Sequence, residues 1–384
     1  MINTDRLTRL LADLVRHNSI NPDLVPGAPG EGAVAAFLYQ YCRGAGLEAE
    51  IREVAPGRAN VIARLRGRGE QPALLLNGHI DTVGVDAMTI DPFDPVIRDG
   101  RLYGRGAFDM KGGVAAMVEA TLAVVAQGPP PGDVVLAMVA DEEYASLGTQ
   151  AVVRDVAAGA AIVTEPTALS VCVAHKGFAW ITVETAGRAA HGSRYAEGVD
   201  AIAQMGRVLA ALERLEKDVF PRRAHPLLGR PSVHAALIEG GQGLSTYPDR
   251  CRLQIERRTL PAETPDDVTA EMDTLLAGLR RADPAFQALW ALTLFRPGLE
   301  ISPDAPVVRA VRRAAEQVLH RAPALVGESP WLDSALLAAA GIPTVIFGPA
   351  GAGAHAAVEW VDLSSVAATA EVLARVLTTW GEER

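Results

Sequence analysis

With 384 residues, 49% of them hydrophobic and 21% charged, the chain is long for one core and balanced like a soluble globular protein, so two domains are expected. Lys+Arg 36 against Asp+Glu 46 leave a net charge of -10, which argues against a general nucleic-acid or anionic-membrane surface. The cysteines Cys42, Cys172 and Cys251 lie far apart, form no CxxC spacing and no even disulfide set, and point to a reducing compartment.

In chain order, Leu7, Leu10, Leu11, Leu14 and Val15 behind a capping-type start predict an amphipathic helix rather than a signal peptide. Apolar runs such as 134–140 are too short to span a bilayer, so no membrane partner and a cytoplasmic location are expected. A polar loop (18–31) and a helix (32–45) follow. Strands are predicted at 48–54, 60–65 and 73–77, and a hairpin at 96–103 turning at Asp99-Gly100. A helix over 110–126 ends at Pro129-Pro130-Pro131-Gly132. Strands at 133–140 and 161–164 flank a helix at 151–156. Strands alternating with helices predict an α/β domain with a largely parallel sheet covered by helices.

The pattern changes near His175. Strand 177–185, helix 200–215, strands 232–239 and 251–259, helix 265–280 and strand 288–295 give β-α-β-β-α-β, a ferredoxin-like α+β unit. Helices at 305–319 and 332–340, a strand at 344–347 and a helix at 363–379 then return to the α/β style. Residues 1–175 and 300–384 are therefore expected to form one domain, with 176–299 inserted into it.

Five stretches carry chemistry. Leu74-Leu75-Leu76-Asn77-Gly78-His79-Ile80-Asp81 reads as a buried strand stopping at a turn, with a histidine and a carboxylate two residues apart. Taken singly, an ordinary polar turn is the plainer reading, but Asp81 also suits the carboxylate that orients a ligating histidine. Asp109, in Gly104-Arg105-Gly106-Ala107-Phe108-Asp109-Met110-Lys111-Gly112-Gly113, reads either as a helix N-cap or as a ligand. The spacing fits neither phosphate-loop pattern. Asp141-Glu142-Glu143 and Glu165 each follow a buried strand, where acids are costly unless solvated or neutralised by cations. His355 sits in a glycine-rich loop after the strand at 344–347. In open α/β sheets, ligands bind beyond the carboxyl ends of strands. His79, Asp109, Glu143, Glu165 and His355 together form a thiolate-free N/O set suited to Zn²⁺, Co²⁺ or Mn²⁺ in a catalytic site. Two histidines and three acids exceed what one open metal needs and fit two ions sharing a carboxylate. Glu142, left over beside them, is the natural general base.

These motifs, in this order along nearly the whole chain, resemble the dinuclear zinc amidohydrolases that include acetylornithine deacetylase, succinyl-diaminopimelate desuccinylase, aminoacylase and carboxypeptidase G. The resemblance implies a zinc-peptidase-like catalytic domain and an inserted dimerisation or lid domain, hence a homodimer. It implies two divalent ions per chain, most often zinc, with Asp109 between them, Glu143 and His355 completing one site and His79 and Glu165 the other. Asp81 then orients His79, and Glu142 carries a proton from the attacking water to the leaving amine. His191, in Ala190-His191-Gly192, matches a histidine that reaches the neighbouring subunit's site. Without the resemblance it reads as an exposed loop residue. Arg258 matches an arginine that grips a substrate carboxylate, as a guanidinium fork does well, with Arg257 as its rival. Glutamate at 165 leans towards deacylases. Ser245 stands where asparagine is usual in holding substrate, Trp331-Leu332-Asp333-Ser334 replaces a more usual Thr-Asp-Ala, and Phe108 is bulky beside Asp109. The expected activity is metal-dependent hydrolysis of the amide in an N-acyl amino acid or related small carboxylated amide, without a nucleophilic serine. A dipeptidase or carboxypeptidase, and a non-catalytic binding protein on the same scaffold, are the alternatives.

Overall fold

A computed structural model describes residues 1–382. The chain divides into two compact units. Met1–Val173, Ile301–Val326 and the segment from Leu332 onwards form the first, and Ala174–Glu300 with Gly327–Trp331 form the second.

In the first unit α1 (Thr4–Arg16) and α2 (Gly32–Gly44) lead into β1 (Glu48–Ala55), β2 (Arg58–Leu65) and β3 (Leu74–His79). The hairpin β4 (Val96–Arg98) and β5 (Arg101–Tyr103) follows, then α3 (Gly112–Val125), β6 (Val134–Val139), α4 (Leu147–Asp155), β7 (Ala160–Val163) and β8 (Val171–His175). The second unit adds β9 (Gly177–Ala186), α5 (Ala201–Arg214), β10 (Ser232–Gly240), β11 (Arg250–Thr259), α6 (Pro265–Ala282), β12 (Ala288–Arg296) and β13 (Leu299–Glu300). The chain then forms α7 (Pro306–Leu319), β14 (Leu325–Glu328), α8 (Ser334–Ala339), β15 (Thr344–Ile346), β16 (Gly351–Ala352), β17 (Trp360–Asp362) and α9 (Leu363–Thr379).

The sheet of the first unit runs β1-β2-β6-β3-β7-β15-β8. Its four central strands, β6, β3, β7 and β15, are parallel, and the flanking pairs are antiparallel. β3 and β6 are buried along their whole length, as strands covered on both faces must be. α3 buries every residue from Gly112 to Val124. α1 starts where Asn3 accepts the Arg6 amide at 2.9 Å, and it buries Leu7, Leu10, Leu11, Leu14 and Val15. Each such leucine contributes about 1.5–3 kcal/mol by leaving water.

The sheet of the second unit runs β10-β11-β9-β12 and is antiparallel throughout, the strand order of a ferredoxin-like fold. Ala179, Ile181, Val183, Leu253 and Ile255 alternate into a core with Met205, Val208 and Leu212 of α5 and Val268, Met272 and Leu276 of α6. Thr264 and Asp267 cap α6 reciprocally. No helix among the described residues is long and apolar enough to cross a membrane.

Several short elements escape the sequence pattern. β8, β13, β14, β16 and β17 have two to five residues, too few for a period to register. α3 starts at Gly112 rather than 110, because Ala107–Lys111 forms a wide turn with Asp109 at φ -116°, ψ 95°.

Candidate metal centre

The parallel register gathers the candidate residues. His79 ends β3 level with Val139 of β6, two residues before Asp141, and Asn77 lies level with Val163 of β7, two residues before Glu165. Three adjacent strands therefore deliver His79, Asp141-Glu142-Glu143 and Glu165 to one end of the sheet. Asp109 comes from the wide turn ahead of α3, which lies close to the sheet because residue 113 is glycine. A Cβ there would stand 2.0 Å from the Thr164 carbonyl oxygen. His355 comes from the loop between β16 and β17, and the turn before it needs Gly353, at φ +87°.

Asp109 is the shared member. Its Oδ1 lies 3.1 Å from His79 Nε2, and its Oδ2 lies 3.3 Å from His355 Nε2. Glu165 Oε1 is 3.6 Å from His79 Nε2, and Glu143 Oε2 is 3.0 Å from His355 Nε2. The ligand atoms thus form two triads, His79–Asp109–Glu165 and Asp109–Glu143–His355, each within 4.8 Å internally.

The electrostatics of this cluster are unbalanced. Burial pushes the Glu142 and Glu165 carboxyls well up, and neighbouring carboxylates add to the push. Glu143 is raised for the same two reasons. Burial works against the Asp109 anion too, but His355 and His79 hold it below the ordinary range. Hydrogen bonds to Asp109 and Glu143 raise His355 to about 10. His79 is raised well above its usual value despite burial, by Glu165 and Asp109. Its Nδ1 lies 3.0 Å from the Asp81 carbonyl oxygen, so Nδ1 carries the hydrogen. Nε2 faces two carboxylates, so it either bears a second proton, as its raised proton affinity favours, or meets a cation bound between them. Glu143 Oε1 is buried with no hydrogen-bond partner. The donor set, the charge excess and this orphaned oxygen all fit divalent cations.

Asp81 has a broader role than expected from its spacing to His79. Its carboxylate is 3.6 Å from His79 Nδ1 and accepts the amides of Glu142 at 3.1 Å and Glu143 at 3.3 Å, with Asn21 Nδ2 at 2.8 Å. Asn21 also donates to Asp141, and Arg58, buried among Glu31, Asp141 and Asp23, holds Asp141 in turn. The acidic loop is therefore pinned through its backbone and through Asp141, while the side chains of Glu142 and Glu143 face the cluster. Burial also raises Asp333, whose carboxylate accepts from Thr149 at 2.6 Å, to about 6.

In the second unit, the His191 loop and the Ser245 loop pair through their backbones, with Gly192 N donating to Ser245 O at 2.7 Å. His191 is exposed and its Nδ1 meets Ser193 Oγ at 2.8 Å. Arg257 is buried, ion-paired with Glu263 at 2.5 Å and Glu271 at 3.1 Å, and stacked on Phe220 at 4.4 Å. Arg258, on the opposite face of β11, is half-buried, pairs with Glu256 at 2.7 Å and lies over Phe178 at 5.4 Å. The sequence held the signal that separates them: Arg257 shares strand parity with Leu253 and Ile255, so it points into the core. Sequence reasoning missed Asn21, Arg58, Glu31 and Glu359, polar residues with no periodicity to mark them.

The sequence profile of "Peptidase family M20/M25/M40" matches residues 75–379. An acetylornithine deacetylase of Myxococcus xanthus is 32% identical over 83% of this chain and 83% of its own. An N-formyl-4-amino-5-aminomethyl-2-methylpyrimidine deformylase of Bacillus subtilis is 28% identical over 98% of this chain and 95% of its own. Among solved structures, the Bacillus cereus aminopeptidase PepT superposes with a TM-score of 0.81 at 22% identity, covering 98% of both chains. A dinuclear metal-binding peptidase of Bacillus subtilis gives a TM-score of 0.77 at 17% identity, covering 99% of both chains. The chain belongs to peptidase family M20/M25/M40, the metal-dependent hydrolases of amide bonds.

Proposed function

We propose that this protein hydrolyses the amide of an N-acyl amino acid or a related small carboxylated amide, using two divalent ions per chain, zinc by preference. The observation that carries the reading is the pair of triads sharing Asp109, with Glu142 beside them and outside both. His79 and Glu165 would hold one ion, Glu143 and His355 the other, with Asp109 between. Ions bound there supply Lewis-acid polarisation and make water acidic enough to attack near neutral pH. Glu142 takes the proton of the attacking water and delivers it to the leaving amine. Its burial among carboxylates raises its proton affinity above that of an ordinary glutamate, as a proton carrier near neutrality requires. Asp81 holds the backbone of that loop still while Glu142 works.

The first unit is the catalytic domain in this reading. The second is a dimerisation and lid domain that contributes His191 to the partner's reaction, Arg258 to the substrate carboxylate, and the Ser245 loop to substrate contact. The engagement of Arg257 with Glu263 and Glu271 supports Arg258 as the available guanidinium. A monomer in light scattering that keeps full activity would contradict the role of His191.

Two observations favour a second reading. Glu256 already occupies Arg258 Nε at 2.7 Å, and the deformylase relative spans nearly the whole chain. Hydrolysis of the N-formyl amide of an amine that carries no carboxylate, such as an N-formyl aminomethylpyrimidine, to the free amine and formate is compatible with both. Amine release across N-formyl, N-acetyl and N-succinyl amino acids, dipeptides and an N-formyl aminomethylpyrimidine, with a chelator control, separates the readings. Chelator-sensitive release from carboxylated acyl amides supports the first. Release from the pyrimidine alone moves the assignment to the second, and release from dipeptides alone makes the protein a peptidase.

A further inference from the structure

Glu359 is fully buried and lies four residues beyond His355, at the end of the same loop. Its carboxylate accepts four hydrogen bonds from the glycine-rich turn that carries Asp109. Oε1 receives the amides of Phe108 at 2.9 Å and Asp109 at 3.0 Å. Oε2 receives the amide of Gly106 at 3.1 Å and the Arg105 guanidinium at 2.6 Å. Gly104 N adds a fifth link, to the Glu359 carbonyl at 3.1 Å.

The turn needs such a partner. Asp109 and Met110 have non-helical backbones, so the turn forms no regular ladder. Buried amides without partners each cost about 1–3 kcal/mol, and one carboxylate meets three of them here. Arg105 makes this acceptor usable by neutralising it: its guanidinium is 2% exposed and also donates to Gly84 O at 3.1 Å and Ala356 O at 3.3 Å. The Arg105–Glu359 pair therefore ties together three loops: the one after His79, the one carrying Asp109 and the one carrying His355.

We propose that Glu359, held by Arg105, is the positioning residue for the Asp109 carboxylate, fixing it midway between His79 and His355 through the backbone of its turn. This rests on the two-ion reading above. It has a consequence that a purely structural ion pair lacks. Asp109 belongs to both triads, so displacing it weakens both ions together, whereas a change at His79 or His355 weakens one. Loss of a partner behind a metal ligand costs about 10- to 100-fold in metal affinity.

The test compares metal-free wild type, Glu359→Asp and Glu359→Gln by amide hydrogen exchange, and then titrates each with Zn²⁺ by calorimetry. Glu359→Asp keeps the charge opposite Arg105 but withdraws the carboxylate by one methylene. It decides the matter if Glu359→Gln, which leaves Arg105 buried and unpaired, fails to fold. The expected result is faster exchange at Gly106, Phe108 and Asp109 and a 10- to 100-fold loss of affinity shared by both ions. A folded variant that binds both ions as tightly as wild type, or that loses only one, would overturn the proposal, as would unchanged exchange across residues 106–109. Wild type taking up fewer than two ions would refute the two-ion reading instead. The exchange comparison, made without metal, then decides whether Glu359 holds the turn.

Discussion

The two units each contain a cluster of buried charge, and the clusters differ in kind. Around Arg257 one guanidinium meets Glu263 and Glu271 and rests on Phe220, with a second cation, Arg223, 2.8 Å from Glu271. Charges there balance within the protein. Around Asp109 the carboxylates of Glu142, Glu143 and Glu165 outnumber the imidazoles of His79 and His355, and burial beside other carboxylates raises the proton affinity of all three acids. A buried ion pair that closes on itself is scaffold. A buried excess of one sign, with a donor atom left over, is a site awaiting a ligand of the opposite sign.

That contrast can be broken by experiment. The largest effect is expected at Glu142, which no triad contains. Glu142→Ala should lower kcat by about 10²- to 10⁴-fold while both ions stay bound, as read by steady-state kinetics and metal analysis. Retained turnover would remove Glu142 from the mechanism. Arg257→Ala should do the reverse. It leaves two buried carboxylates facing each other and should cost about 3–5 kcal/mol in urea unfolding, with metal affinity per folded molecule unchanged. A metal-binding defect in that variant would mean the two clusters are not separate in function.

The smallest effect sharpens the comparison with a third buried group. His175 is wholly buried in the second unit, with Nδ1 2.9 Å from the Lys176 carbonyl oxygen, and burial lowers it to about 4. In the unfolded chain it titrates near 6.5. As pH falls below about 6.5 the unfolded state takes up the proton first, so stability declines until the pH reaches about 4. This group contributes about 1.4 kcal/mol of loss per pH unit inside that window. Urea unfolding at a series of pH values should show a slope shallower by about one proton for His175→Asn than for wild type. Equal slopes would mean that the folded state accommodates the charge.

How much of this was legible follows from physics. Of the candidate ligands, His79, Glu143 and Glu165 stood at or just after the ends of apolar runs, and a parallel sheet places such ends together, so their convergence could be read from spacing, whereas Asp109 and His355 come from a turn and a loop whose placement spacing does not give. The inserted unit was legible because its longer alternating strands differ in period from the fully buried runs around it. What supports the ligands was hidden. Asn21 and Arg58 reach Asp81 and Asp141 across 60 to 120 residues, Glu31 holds Arg58 across 27, and pairing at that range leaves no local mark. Glu359 acts on backbone amides, which every sequence has. Arg257 could have been separated from Arg258 by parity, since a strand's inward positions include any residue in step with its apolar ones.

In the proposed mechanism one shared carboxylate, Asp109, organises two cation sites. Calorimetric titration of metal-free protein with Zn²⁺ tests it most directly, using wild type, His79→Ala, His355→Ala and Asp109→Ala. Two ions per chain are expected in wild type, one retained after either histidine change, and both weakened after the aspartate change. One ion per chain in wild type, or two undiminished ions without Asp109, would contradict it.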